Sequence, residues 1–100
     1  MQYTYIWDEN KRRENFRKHG FDFARAKEVF YDPNGFVIFD DCYDEYRYQF
    51  IGVIDGAIVT VVIYTEDDYN GVRRVISFRG ATKTERKTYY GRRHVYRRRT

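Results

Sequence analysis

The sequence predicts a single α+β domain, with N-terminal helices packed on a four-stranded antiparallel sheet and a C-terminal helix closing the fold. Three observations carry this expectation. Two capped, helix-compatible segments come first, and four strand-like segments follow, two of their links being Asp55-Gly56 and Asn70-Gly71. Then Thr82-Lys83-Thr84-Glu85 matches a capping box, the signature of a helix start. One hundred residues, 42% of them hydrophobic and including 11 Tyr, 8 Phe and one Trp, supply one core built largely from rings. Such material excludes a disordered chain, and the length leaves no room for a second core.

Tyr3, Tyr5 and Trp7 alternate with Thr4 and Ile6, which reads as a short strand available as an extra member of the sheet. Asp8 is a helix N-cap, residues 8–18 form the first helix, and Gly20 stops it. Phe16 is its clear core anchor, while Lys11, Arg12, Arg13, Arg17 and Lys18 make the helix cationic, so its burial is expected to be shallow. Asp22 caps a second helix reaching about residue 31. Phe23, Ala26, Val29 and Phe30 recur in it at helical spacing, and Asp32-Pro33-Asn34-Gly35 turns the chain out of it.

Strands are expected at residues 36–40, 46–54, 57–65 and 72–79, arranged as an antiparallel meander. Residues 57–64 are apolar at almost every position, which implies cover on both faces and a central place in the sheet. In the last strand Arg73, Ser77 and Arg79 share one parity, so regular alternation points them the same way. A helix over residues 83–90 completes a domain of residues 1–90. Residues 91–100 read as a basic tail with too little apolar content to pack.

The net charge is +4, and removing Arg92, Arg93, Arg97, Arg98 and Arg99 would leave −1. Asp40, Asp41, Asp44 and Glu45 form an opposing cluster in mid-chain. This polarity points to an anionic partner at the C-terminal end, with RNA, DNA and an acidic protein all admissible. The apolar runs fall far short of the ~18 to 20 residues that span a bilayer, and the N-terminus lacks the blocks of a signal peptide. A lone Cys42 forms no internal disulfide, so the cytoplasm is the expected compartment, without a membrane partner.

The most specific chemical constellation is Arg79-Gly80-Ala81-Thr82, which joins a strand to a capped helix. Backbone amides, the positive end of the helix dipole and Arg79 can converge there on an anion, with Arg86 one turn further on. The competing reading is that Arg79 pairs with a surface carboxylate and Thr82 only caps. His19 can act as a general acid or base, although the dipole also favours histidine at a helix C-terminus; His94, in the arginine tail, is the weaker candidate. Glu45 and Arg47 share a strand parity, placing a proton acceptor beside a cation, and a cross-strand ion pair explains them equally well. The acidic cluster offers oxygen ligands but matches no Mg²⁺ or Ca²⁺ loop, one Cys and two His match no zinc spacing, and no glycine-rich nucleotide loop is present. No cofactor or metal is therefore expected. Cys42 is a weak nucleophile candidate, and the many tyrosines suit core or amphipathic surface better than base stacking.

Trp7-Asp8, Asn15, Lys18-His19-Gly20, Phe23, Ala26, Val29-Phe30, Asp32, Glu45-Tyr46-Arg47, Gly52, Arg74, Ile76-Ser77, Arg79, Ala81-Thr82, Glu85 and Tyr89 together resemble the BrnT family of toxins from type II toxin–antitoxin modules. The resemblance runs in order from about residue 5 to residue 90. It implies a RelE-like ribonuclease fold and metal-independent RNA cleavage that inhibits translation. It also implies a BrnA-like antitoxin whose ribbon-helix-helix part contacts operator DNA. Gly80 stands where relatives often carry a second basic residue, and residues 91–100 extend past the usual end.

The resulting expectation is an endoribonuclease in which Arg79 and Arg47 stabilise phosphate charge and His19 or Glu45 moves protons. Lys18, Arg73, Ser77, Thr82 and Arg86 hold RNA. A noncatalytic module that binds nucleic acid or protein on the same fold is the alternative.

Overall fold

The computed structural model describes residues 2–40 and 47–99. Expectations for Asp41, Cys42, Tyr43, Asp44, Glu45 and Tyr46 lie outside the described residues.

Strand β1 (Thr4–Ile6) leads into helix α1 (Glu9–His19). The Asp8 carboxylate accepts the Asn10 and Lys11 amides at the helix start, and Gly20 ends it at φ +78°, where a side chain would be strained. A 3₁₀ turn (Phe23–Arg25) and a single α-turn, α2 (Ala26–Val29), replace the longer second helix expected over residues 22–31. The apolar spacing was nonetheless informative, because Phe23, Ala26 and Val29 are all buried. The chain leaves the helix early because Asp32 binds elsewhere, accepting the Asn34 amide, the Val53 amide of the sheet and the Tyr89 hydroxyl.

Strands β2 (Phe36–Asp40), β3 (Arg47–Ile54), β4 (Ile58–Asp67) and β5 (Val72–Gly80) follow, and helix α3 (Lys83–Arg99) closes the fold. The sheet order is β1-β5-β4-β3-β2. The four C-terminal strands are antiparallel, as expected, but β1 joins β5 in parallel, so the sheet is five-stranded and mixed. Helix α3 continues past the predicted end at Tyr90 to Arg99, carrying much of the expected tail within one helix.

The apolar run of β4 lies at the centre and is covered on both sides. On one face Val62 and Tyr64 join Phe23, Ala26, Val29, Ile54, Val75 and Phe78; on the other, Val59 and Val61 join Ile51 and Tyr89 of α3. Thr60, the polar member of this run, is satisfied by donating to the Gly52 carbonyl at 3.0 Å. Gly52 also lets α2 approach β3: a Cβ there would stand 2.9 Å from a Val29 methyl carbon.

Alternation breaks once. Ile63 stands opposite Ser77 while the next residue, Tyr64, stands opposite Val75, so Ile76 is an extra residue forming a β-bulge. Parity therefore reverses along β5. Val75 and Phe78, three positions apart, both face the α2 side, and the expectation that Arg73 points with Ser77 and Arg79 is overturned. Arg73 opposes Glu66 on the α2 face, whereas Ser77 and Arg79 oppose Ile63 and Val61 on the α3 face.

Helix α1 is anchored by a polar residue. Phe16, the predicted anchor, is 55% exposed, and Asn15 is the buried residue of this helix. β1 pairs only with residues 72–74 of β5 and leaves the strand's outer edge open beyond them. Asn15 closes that edge: its amide nitrogen donates to the Phe78 carbonyl at 2.7 Å and the Phe21 carbonyl at 3.1 Å, and its oxygen accepts the Phe78 amide at 3.2 Å. Arg12 adds a two-pronged contact to Asp22 at 2.8 and 3.1 Å.

Asn15→Leu leaves three backbone groups without partners, each worth about 1–3 kcal/mol when buried. The expected loss is about 2–4 kcal/mol, seen in thermal denaturation as a fall in Tm of at least about 8 °C for a domain of this size.

Candidate nucleic-acid interface

The α3 face of the sheet has two zones. At one end α3 seals it, Tyr89 packing on Ile51, Val59 and Val61. Toward the other end the same face carries half-buried Arg47, Gln49, Ile63, Thr65, Arg74 and Ser77, with Arg79 at the border with α3. Arg47 and Arg79 were expected here. Arg74 was not singled out, because uninterrupted alternation would have turned it away from Ser77; the bulge brings it round, opposite Thr65. Same-face neighbours on a strand lie about 7 Å apart, so Arg74, Ser77 and Arg79 form a graded row along β5. Arg47 lies two strands away, on β3.

At the border, Arg79 makes a two-pronged contact with Glu85, at 2.7 and 3.0 Å, and donates to the Gly80 carbonyl at 3.2 Å. Both side chains are shielded, at 25% and 20% exposure. The capping box forms as predicted: Glu85 accepts the Thr82 amide at 2.8 Å and the Thr82 hydroxyl accepts the Glu85 amide at 3.2 Å. One carboxylate thus both caps α3 and fixes the guanidinium. Arg79 retains two of its five N–H donors for another acceptor. Arg86 is exposed beside this cap and donates to the Ala81 carbonyl at 2.9 Å.

Arg73 is placed elsewhere. It pairs with Glu66 at 2.6 Å, donates to the Tyr5 hydroxyl at 3.0 Å, and stacks 3.8 Å from the Tyr3 ring centre and 4.2 Å from that of Phe30. It forms part of the wall of an open aromatic groove of about 690 Å³ shared with Tyr3, Trp7 and Lys27. Its charge is consumed by a shielded carboxylate and ring faces, and it holds β1 and β5 against the helical layer. Lys18 and His19 are exposed at the end of α1, and His19 makes no hydrogen bond or ion pair with Arg47, Arg74, Ser77 or Arg79. Glu45 lies outside the described residues. Among the described residues, no three His, Cys, Asp or Glu side chains converge as a metal site.

The hydrogen bond from Arg79 is the main reason that the Glu85 carboxyl is lowered from its ordinary value to about 2. A depressed carboxyl stabilises the fold fully above its unfolded pKa, near 4.5, and that contribution is lost as pH falls toward about 2. Glu85→Gln is therefore expected to lower Tm at neutral pH and to make its decline between those two pH values shallower than in the wild type.

Residues 7–85 match the family model described as the ribonuclease toxin BrnT of type II toxin–antitoxin systems. The chain is also similar to the ribonuclease toxin BrnT of Brucella abortus, known from a 1.1 Å crystal structure. The two are 32% identical with a TM-score of 0.64, over 82% of this chain and 100% of that one. No curated protein matches. A family model spanning most of the chain and a solved relative aligned over its whole length agree with the resemblance carried by the site residues, and the chain belongs to the BrnT family of ribonuclease toxins of type II toxin–antitoxin systems.

Proposed function

We propose that the chain is a RelE-like, metal-independent endoribonuclease that cuts RNA on the open half of the α3 face and thereby inhibits translation. The carrying observation is the gathering of Arg47, Arg74, Ser77 and Arg79 on one sheet face, beside the amide-rich start of α3. A base removes the proton from an RNA 2′-OH, and that oxygen attacks the adjacent phosphorus. The 5′-oxygen leaves with a proton from an acid, and a cyclic phosphate remains on the upstream nucleotide. Guanidinium groups neutralise the extra charge on the phosphoryl oxygens in the transition state, the task a metal ion performs in other nucleases. Arg74 and Arg79 take that role on β5, Arg47 holds the strand from β3, and Thr82, Ser77 and Arg86 bind its backbone.

His19 or Glu45 moves the protons in this scheme, and Glu45 stands two residues before Arg47 in the sequence. Lys18 and His19 are exposed at the end of α1, the helix whose Asn15 accepts a hydrogen bond from the Ser77 hydroxyl at 3.4 Å. The toxin acts in the cytoplasm, where a BrnA-like antitoxin neutralises it and contacts operator DNA through its ribbon-helix-helix part. Residues 1–90 constitute the ribonuclease domain, and the basic residues beyond them add affinity.

One observation favours the noncatalytic alternative: Arg79 is already neutralised by Glu85. A binding module predicts strongly salt-dependent association with RNA and no strand scission.

Purified protein incubated with RNA separates the two readings. Arg74→Ala and Arg79→Ala are each expected to reduce the cleavage rate by about 10² to 10³, the cost of one preorganised charge-stabilising donor, with unchanged circular dichroism. Arg73→Gln is expected to lower Tm while the folded protein keeps its cleavage rate. Full cleavage by the Arg74 and Arg79 variants would remove the site from this face. Activity in excess EDTA is expected to match that without it; loss restored by Mg²⁺ would contradict the metal-free chemistry.

A further inference from the structure

Asn15 does more than close the edge of β5. Its amide nitrogen donates to the Phe78 and Phe21 carbonyls, at 2.7 and 3.1 Å, and these contacts fix which end of the side chain is nitrogen and which is oxygen. The oxygen accepts the Phe78 amide at 3.2 Å and has no proton to give. It also stands 3.4 Å from the Ser77 hydroxyl, so the hydroxyl is the donor in that contact. Long as this bond is, among the described residues it is the hydroxyl's one hydrogen bond. A serine hydroxyl carries a single proton. With that proton directed at Asn15, the Ser77 oxygen presents lone pairs alone to whatever meets the α3 face.

Thr82, beyond Arg79 at the start of α3, has the opposite polarity. Its hydroxyl oxygen accepts the Glu85 amide at 3.2 Å and keeps its proton for a further partner. The two hydroxyls therefore call for different groups on a nucleic acid. A phosphodiester offers only acceptor oxygens, which suit Thr82, Arg74 and Arg79. Ser77 needs a donor instead, and the donor that each nucleotide of RNA carries on its backbone, and DNA lacks, is the ribose 2′-OH.

We propose that Ser77, polarised by Asn15, accepts the 2′-OH of a ribose seated between the phosphates held at Arg74 and Arg79, and so makes the α3 face select RNA over DNA at the binding step. Resting on the ribonuclease reading, this adds a sugar contact to the phosphate contacts of that site. Ser77 stands between the two arginines on β5 and opposite Ile63, an apolar neighbour that neither competes for its lone pairs nor supplies a proton. The ribose is one beside the cut, because the attacking 2′-OH directs its proton to the base. Ser77 moves no proton in this account; it sets which sugar the face holds.

The test uses the full chain and two fluorescent decamers that lack a nucleophilic hydroxyl, one of 2′-deoxyuridine and one of 2′-amino-2′-deoxyuridine. They differ only in the group on the 2′-carbon. Mildly alkaline buffer keeps the amine neutral, so it offers N–H donors without adding charge. Fluorescence anisotropy is expected to show the wild type binding the amino decamer about two- to tenfold more tightly, the range of one net hydrogen bond. Ser77→Ala is expected to bind the two decamers alike, and Ser77→Thr, which restores the hydroxyl, to prefer the amino decamer again. Circular dichroism checks that each variant is folded.

Equal binding of the two decamers by the wild type overturns the proposal. So does a preference that survives in Ser77→Ala, and if that variant weakens both decamers by one factor the hydroxyl belongs to phosphate. Cleavage of unmodified RNA by the wild type is measured in parallel. RNA cut by a protein blind to the 2′ group refutes the sugar contact and leaves the ribonuclease reading standing. A Ser77-dependent preference in a protein that cuts no RNA does the reverse.

Discussion

The buried amide of Asn15 is the contact on which the arrangement of this protein depends. β1 is too short to cover the length of β5, and Asn15 supplies the missing donor and acceptors where it stops. By tying Phe21 and Phe78 together it also fixes the turn after α1, so that the Phe21 and Phe78 rings meet with centres 5.0 Å apart. The helical layer is thereby held to one face and one edge of the sheet. The other face is left to α3 and the arginines.

A second polar device works at the other side of the antiparallel core. Asp32 accepts the Val53 amide just beyond the start of β2 pairing and accepts the Tyr89 hydroxyl at 2.6 Å, joining the turn after α2 to both β3 and α3. Apolar packing holds the layers, but these directional contacts set where each layer ends. The Arg79–Glu85 pair extends the same logic into the functional face, since a helix cap and a phosphate-binding candidate share one carboxylate. The Arg79 guanidinium is thereby held in one orientation by its partner.

The strands, the central position of β4, the first helix with both its caps, and the capping box of α3 were legible because each rests on local chemistry: turn residues, caps and an apolar run. Where the outcome turned on long-range geometry, the sequence was silent. Nothing local distinguishes a parallel β1 from an antiparallel one, and Phe16 looks a better anchor than Asn15 until the open edge of β5 is known. The Ile76 bulge mattered most for the site. It sends Arg73 into an aromatic and carboxylate cage and brings Arg74 to the face with Ser77 and Arg79. Buried Val75 and Phe78 at a spacing of three were its faint sequence signal, indistinguishable from ordinary variation in a half-exposed strand. Arg47 and Arg79 were named as phosphate-stabilising candidates without any sign in the sequence that they share a face, and Lys18 and His19, exposed at the end of α1, were named from their helix-end position and the family resemblance.

The central claim is that RNA lies on the α3 face, across β3 and β5, and the most direct measurement is an amide chemical-shift map with a noncleavable 2′-O-methyl RNA. The account predicts the largest changes at Arg47, Arg74, Ser77, Arg79 and the start of α3, with Tyr5, Phe30 and Arg73 unmoved. Changes centred on Tyr5, Phe30 and Arg73, with the α3 face silent, would contradict it.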